Sequence, residues 1–240
     1  MNLIIDVGNT RVKVAVFKQD TIVDMFVFEK EKILKKIEII SSKYMVSKAI
    51  ISAVATLSDE KLDELNQSLD LIQLNHQTKV PFLNLYKTPQ TLGVDRIALA
   101  SGAVQKFPKS NVLVIDAGTC ITYDIVNKKG EYLGGAISPG IQMRYKAMHH
   151  FTAKLPLLEN EELDNYIGVD TNTSMYSGVL NGVVQEIDGV INQYKRDFKD
   201  LTIVLTGGNT KFLAKQLKNR IFANQNFLLE GLQEVLKFNL

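Results

Sequence analysis

Residues 113–126 read Leu-Val-Ile-Asp-Ala-Gly-Thr-Cys-Ile-Thr-Tyr-Asp-Ile-Val, and residues 3–17 read Leu-Ile-Ile-Asp-Val-Gly-Asn-Thr-Arg-Val-Lys-Val-Ala-Val-Phe. In each, an apolar run ends in an aspartate, a Gly-containing turn follows, and a second apolar run begins. Asp116 lies 110 residues after Asp6, and Gly118 lies 110 after Gly8, which marks an internal duplication. A continuous apolar run fits a strand buried on both faces, and a carboxylate at its end is costly unless something compensates its charge. Two such carboxylates at equivalent places need one explanation.

A small turn beside a carboxylate suits metal and phosphate chemistry. Backbone N–H groups can approach phosphate oxygens there, while the aspartate holds a magnesium ion or its waters. Asn9, Thr10 and Lys13 add donors, and lysine serves phosphate as a point charge. A plain hairpin turn, with Lys13 on the solvated face of its strand, is the other reading of a single copy. Two copies favour the phosphate reading.

Around these hairpins the chain reads as α/β. Residues 21–28 form a third strand, and 29–41 a helix with Ile33, Leu34, Ile37 and Ile40 at helical spacing. A strand at 48–54, a helix at 59–68 and a short strand at 71–74 follow. Periodicity fails between residues 76 and 91, where prolines stand at 81 and 89, so this is a long loop of the kind that is often functional. A helix at 94–107 precedes Pro108-Lys109-Ser110, the expected boundary between domains 1–108 and 109–240. The second half continues with a strand at 131–137, glycine and proline breaks, a helix near 141–150, a long amphipathic helix at 171–197, and a buried-type strand at 201–205. That strand ends in Thr206-Gly207-Gly208-Asn209, and a helix and a final amphipathic segment follow.

Composition narrows the function. The 240 residues carry a net charge of +2 with scattered lysines, which offers no footprint for nucleic acid. One cysteine, Cys120, excludes an internal disulfide and a multi-cysteine zinc site, and suits a reducing compartment. The opening has no basic n-region, and no stretch approaches the roughly 20 apolar residues that span a bilayer. The protein is expected to be soluble and cytoplasmic.

Two facing hairpins with a nucleotide cleft between them resemble the acetate kinase, sugar kinase, Hsp70 and actin superfamily, with duplicated actin-like (ribonuclease H-like) domains. Five ordered segments sharpen the resemblance: Thr91-Leu-Gly-Val-Asp-Arg, Asp116-Ala-Gly-Thr-Cys-Ile-Thr-Tyr-Asp, Gly134-Gly-Ala-Ile-Ser-Pro-Gly, Thr171 through Ser177-Gly178, and Leu205-Thr-Gly-Gly. Together with the Asp-x-Gly-Asn-Thr-x-x-Lys opening they are similar to type III pantothenate kinase. Cys120 departs from the pattern, since the family more often has a small residue there.

The resemblance implies ATP-dependent phosphorylation of pantothenate, at the start of coenzyme A synthesis, by a homodimer that uses magnesium and a potassium or ammonium ion. Asp6 would organise magnesium, within a phosphate-binding stretch of Asp6, Val7, Gly8, Asn9, Thr10, Arg11, Val12 and Lys13. Thr119 would meet the ATP phosphates from the second hairpin, and Asp116 would help hold the monovalent cation. Tyr86, Gly93, Val94, Asp95 and Arg96 would line the pantothenate pocket with Asp95 as base, and Thr171 would touch substrate across the dimer interface.

Several of these residues also have a purely structural reading. Asp95 could be a helix cap or first-turn acid, Tyr86 a loop aromatic over the core, and Thr171 the N-cap of its helix. His149-His150 resembles a metal pair, but adjacent helix positions do not face one site. Two other functions compete with the kinase: a regulatory nucleotide-binding protein of transcription-accessory type, and an actin-like or chaperone-like nucleotide switch. No helix-turn-helix signature or basic tract supports the regulator, and the short chain leaves the switch no room for a further substrate-binding domain.

Overall fold

Strand β1 (Asn2–Val7) is apolar and buried nearly throughout, and it is the centre from which the first half is built. It pairs antiparallel with β2 (Val12–Lys18), which pairs in turn with β3 (Thr21–Phe28). The computed structural model describes residues 1–8, 11–53, 57–159 and 166–240. A turn of 3-10 helix, Lys30–Lys32, leads into α1 (Ile33–Tyr44), which crosses over so that β4 (Lys48–Ala53) lies parallel to β1. Then α2 (Asp59–Ser68) returns the chain to β5 (Leu71–Gln73), parallel to β4. The sheet order is β3-β2-β1-β4-β5. Exposure alternates along β3, as suits an edge strand with one solvated face.

The segment expected to be a loop contains a two-residue strand, β6 (Leu83–Asn84), and a 3-10 turn, Pro89–Thr91. It ends at α3 (Val94–Lys106), buried along most of its length.

The second half repeats the plan. Strands β7 (Val112–Ala117) and β8 (Cys120–Val126) form the second hairpin, and β9 (Glu131–Pro139) follows. Helices α4 (Ile141–Phe151) and α5 (Thr171–Asp197) lead to β10 (Thr202–Thr206), parallel to β7. Then α6 (Thr210–Gln216) precedes β11 (Phe222–Ala223). This sheet runs β6-β9-β8-β7-β10-β11, so its strands β9-β8-β7-β10-β11 repeat the order of the first sheet and β6 is added at the β9 edge. The two sheets therefore carry the duplication in topology as well as in sequence.

The last helix, α7 (Phe227–Phe238), departs from the expected division at residue 109. The chain forms two compact units: Met1–Lys109 with Lys129–Leu133 and Asn226–Leu240, and Ser110–Lys128 with Gly134–Gln225. Residues 226–240 thus group with the first unit. The physical cause is a backbone contact between α7 and α3: a Cβ on Gly231 would lie 2.0 Å from the Ala98 carbonyl oxygen, and one on Gly102 would lie 3.1 Å from the Gly231 Cα. Polar bonds fix the register, with Lys106 to Glu230 at 2.6 Å, Asn2 Nδ2 donating to Gln233 Oε1 at 3.2 Å, and Gln233 Nε2 donating to the Gln19 carbonyl at 3.0 Å.

Candidate active site

In the first unit, Asp6 stands opposite Lys13 on β2 and beside Ser52 on β4. The turn between β1 and β2 is closed by the Gly8 N–H donating to the Arg11 carbonyl at 3.1 Å. Asn9 and Thr10 lie outside the described residues. Val7 and Val12 bury their side chains in the core, so only their backbone is available to a ligand, whereas Arg11 is exposed and Lys13 half-buried.

Asp6 is only 6% exposed, and burial pushes its carboxyl up to about 6; Lys13 opposes the rise and the Asp95 carboxylate adds to it. Asp6 and Asp95 are therefore close enough to feel each other's charge. The hydroxyl of Ser52 is fully buried and has no hydrogen-bond partner among the described residues. Sequence reasoning missed Ser52, whose only signal was a polar residue near the end of an apolar strand.

Asp95 occupies the first turn of α3, after Gly93 at the N-cap. Its Oδ1 accepts the Arg96 N–H at 2.8 Å, and a Cβ on Gly93 would lie 2.4 Å from that oxygen, so the glycine makes room for the carboxylate. Arg96 is buried, with its guanidinium carbon 5.7 Å from the centre of the Tyr86 ring and 6.0 Å from that of Tyr132. The structure thus brings Tyr86, Gly93, Val94, Asp95 and Arg96 together in one unit, and adds Tyr132 to them.

In the second unit, Asp116 stands opposite Thr122 and beside Thr206, as Asp6 does with Lys13 and Ser52. Three residues rather than four separate the last paired positions of this hairpin, so Thr122, not Tyr123, occupies the place of Lys13. Gly207 has φ +93°, and a Cβ there would lie 2.3 Å from Asp116 Oδ1. Both the backbone N–H and the side-chain amide of Asn209 donate to the Ala117 carbonyl, at 3.0 and 3.2 Å. On the other side the Gly140 N–H donates to the Thr119 carbonyl at 3.1 Å, and a Cβ on Gly140 would lie 2.4 Å from the Gly118 and Thr119 oxygens. The exposed Thr119 is thus carried on a turn clamped by two glycine-bearing segments. Gly207→Ala should destabilise the chain by more than about 1 kcal/mol, since it adds both left-handed strain and a clash; chemical denaturation will read the change.

An ion-pair network that sequence reasoning missed fixes the segment before Gly140. Arg144 donates to the Pro139 carbonyl at 3.0 Å, to Ser138 Oγ at 3.1 Å and to Glu186 at 2.5 Å, while Tyr123 donates to the same carboxylate at 3.0 Å. Burial pushes Glu186 up, but the bonds from Arg144, Ser138 and Tyr123 outweigh it and hold the carboxyl below its ordinary value. The sequence signal was Glu186 itself, an acid among the apolar positions Val183, Val184 and Ile187.

Thr171 is the first residue of α5 and is exposed, but it is not the cap. Asp170 caps the helix by accepting the Thr173 N–H at 2.9 Å, and Thr173 Oγ1 accepts the Asp170 N–H at 3.1 Å in return. Among the described residues no group of three or more His, Cys, Asp or Glu could hold a metal, and no helix is long and apolar enough to cross a membrane.

The family model for type III pantothenate kinase matches residues 2–193. The chain belongs to that family. Type III pantothenate kinases of Flavobacterium johnsoniae and Christiangramia forsetii are 47% and 48% identical to it, each over 100% of this chain and 99% of theirs. Among solved structures, a protein from Campylobacter jejuni described as a Baf family transcriptional activator superposes with a TM-score of 0.63 at 24% identity, covering 99% of this chain and 98% of that one. A ROK family glucokinase from Streptomyces griseus gives 0.51 at 13%, covering 99% and 98%. These likenesses show the fold, that of the actin-like ATPases and sugar kinases, and carry no function. The regulatory alternative is therefore not favoured over a kinase.

Proposed function

We propose that this type III pantothenate kinase transfers the γ-phosphoryl group of ATP to the primary hydroxyl of pantothenate, giving 4′-phosphopantothenate in the first step of coenzyme A synthesis. The observation that carries the proposal is the buried Asp6 carboxylate opposite Lys13, in the same unit as Asp95, Tyr86 and Arg96. Phosphoryl transfer asks the protein mainly to position its reactants and neutralise charge. Lys13 and the backbone of the first turn would take phosphate oxygens, with Asn9, Thr10, Arg11 and Thr119 as further donors. Asp95 would orient the pantothenate hydroxyl and accept its proton, while Tyr86, Gly93, Val94, Arg96 and the exposed Thr171 would contact the rest of the substrate.

The donor set fits a divalent ion completed by the substrate. Magnesium commonly takes one or two carboxylates together with phosphates and water, and Asp6 supplies one carboxylate, opposite Lys13. When bound, the ion neutralises charge on the phosphate oxygens. Asp116, against the backbone at Gly207, would hold a potassium or ammonium ion. Turnover is then expected to rise when sodium is replaced by either ion, and Asp116→Ala should erase the difference. Equal rates in all three salts would remove that role.

A homodimer is part of the same proposal. Phe151, Ile167 and Val169 are exposed apolar side chains, the last two shortly before Thr171 in the chain, and among the described residues nothing lies within 4 Å of a Cβ built on Gly178 or Gly182 of α5. Sedimentation should show a dimer under assay conditions; a fully active monomer would contradict the shared site. The single, half-buried cysteine fits a cytoplasmic location. The activity itself is tested by ADP release with and without pantothenate. Release should depend on pantothenate, and nucleotide binding with no stimulated release would overturn the proposal.

A further inference from the structure

We infer that Tyr132 is a positioning residue that sets the substrate-binding geometry of Tyr86 and Arg96, an assignment that rests on the pantothenate reading above. Its side chain is 0% exposed and lies near the start of β9, in the short stretch Lys129–Leu133 that belongs to the first unit. The Arg96 guanidinium carbon is 6.0 Å from the Tyr132 ring centre and 5.7 Å from the Tyr86 ring centre, and the two rings are 6.2 Å apart. The three groups form a closed triangle with sides of 5.7 to 6.2 Å. Phe82 packs against Tyr132 as well, at 5.9 Å between ring centres.

The backbone makes the same connection. Leu83 and Leu85 donate their N–H groups to the carbonyls of Gly130 and Tyr132, at 2.9 and 3.0 Å, one at the start of β6 and one just after it. The irregular segment that carries Tyr86 is therefore tied to the strand at the residue whose ring it packs on. Tyr86 is half-buried and stands outside regular structure, so its direction depends on what it packs against. Tyr132 has a fixed direction, because it is enclosed and borne on a strand. A guanidinium restrained by aromatic rings presents its N–H donors in a constant direction. Removing one ring of the triangle loosens the packing of both substrate-contacting groups and leaves the Asp6 hairpin, which belongs to the other sheet, as it was.

The test measures both Michaelis constants, kcat and the melting temperature for Tyr132→Leu and Tyr132→Phe. Tyr132→Leu keeps apolar volume without the ring, and should raise the KM for pantothenate at least about tenfold while the KM for ATP stays within about twofold. Tyr132→Phe restores the ring and should bring the pantothenate KM within about threefold of wild type. If Tyr132→Leu is too unstable to assay, Phe82→Leu removes the ring that buttresses Tyr132 and should give a smaller rise, about threefold, again confined to pantothenate. Unchanged pantothenate KM in a folded leucine variant, or a parallel rise in both constants, would overturn the inference. Arg96→Lys and Tyr86→Leu distinguish the two levels. If they raise the pantothenate KM and Tyr132→Leu does not, only the positioning role fails; if they leave it unchanged, the substrate reading fails and the inference with it.

Discussion

Replacing Asp6 with asparagine is expected to raise the melting temperature of the ligand-free protein at pH 8 while abolishing turnover. The carboxyl ordinarily titrates near 3.8, and in the folded chain burial lifts it to about 6. A carboxyl whose folded value lies above its unfolded value binds more protons folded than unfolded between those pH values, so stability falls as pH rises from about 4 to 6 and stays low above that. The difference is on the order of 3 kcal/mol, at about 1.4 kcal/mol per pKa unit. Asparagine removes this penalty, and the lone buried hydroxyl of Ser52 stands beside it in register. The gain should be several degrees at pH 8, at roughly 2–4 °C per kcal/mol for a chain of this size, and should vanish near pH 4. A variant less stable than wild type at both pH values would mean that the Asp6 charge is compensated within the protein alone.

Asp95→Asn should lower kcat by roughly 100- to 10,000-fold, the span of a general-base contribution, with ATP affinity changed only a few-fold. Asparagine keeps the shape and the bond to the Arg96 N–H but cannot accept the hydroxyl proton. The substitution has a second signature at a distance. Asp95 raises the Asp6 carboxyl by like-charge repulsion, so the neutral variant should move the pH dependence of ligand-free stability to lower pH. Steady-state kinetics with pantothenate, nucleotide binding, and melting curves between pH 4 and 8 check the three expectations together. A kcat within a few-fold of wild type would leave Asp95 as a first-turn acid and move the base to Asp6.

The hairpins were legible because strand burial and turn chemistry are local, and a motif repeated at a fixed offset carries its own confirmation. The offset misleads by one residue beyond the turn: Lys13 and Tyr123 correspond in sequence, but the shorter second turn puts Thr122 opposite Asp116. Backbone pairing decides that, and no periodicity reports it. The placement of α7 was illegible for a related reason. Amphipathicity says which face of a helix is buried but not against what, and the Gly102–Gly231 contact joins residues more than a hundred positions apart. Asp170 rather than Thr171 caps α5 through an Asp-x-x-Thr pattern that lies in plain sequence. The cluster of Tyr86, Arg96 and Tyr132 needed the fold, since β6 has only two residues and exists by pairing with β9.

A duplicated fold with aspartates at Asp6 and Asp95 in its first unit moves a phosphoryl group onto a small alcohol. The most direct test of this follows γ-labelled ATP incubated with wild-type protein and pantothenate, with the product identified by mass and phosphorus NMR. The label should appear as a phosphate monoester on the primary hydroxyl of pantothenate, and neither Asp6→Asn nor Asp95→Asn should form it at a comparable rate. Label recovered only in ATP or inorganic phosphate, from protein that binds the nucleotide, would contradict the account.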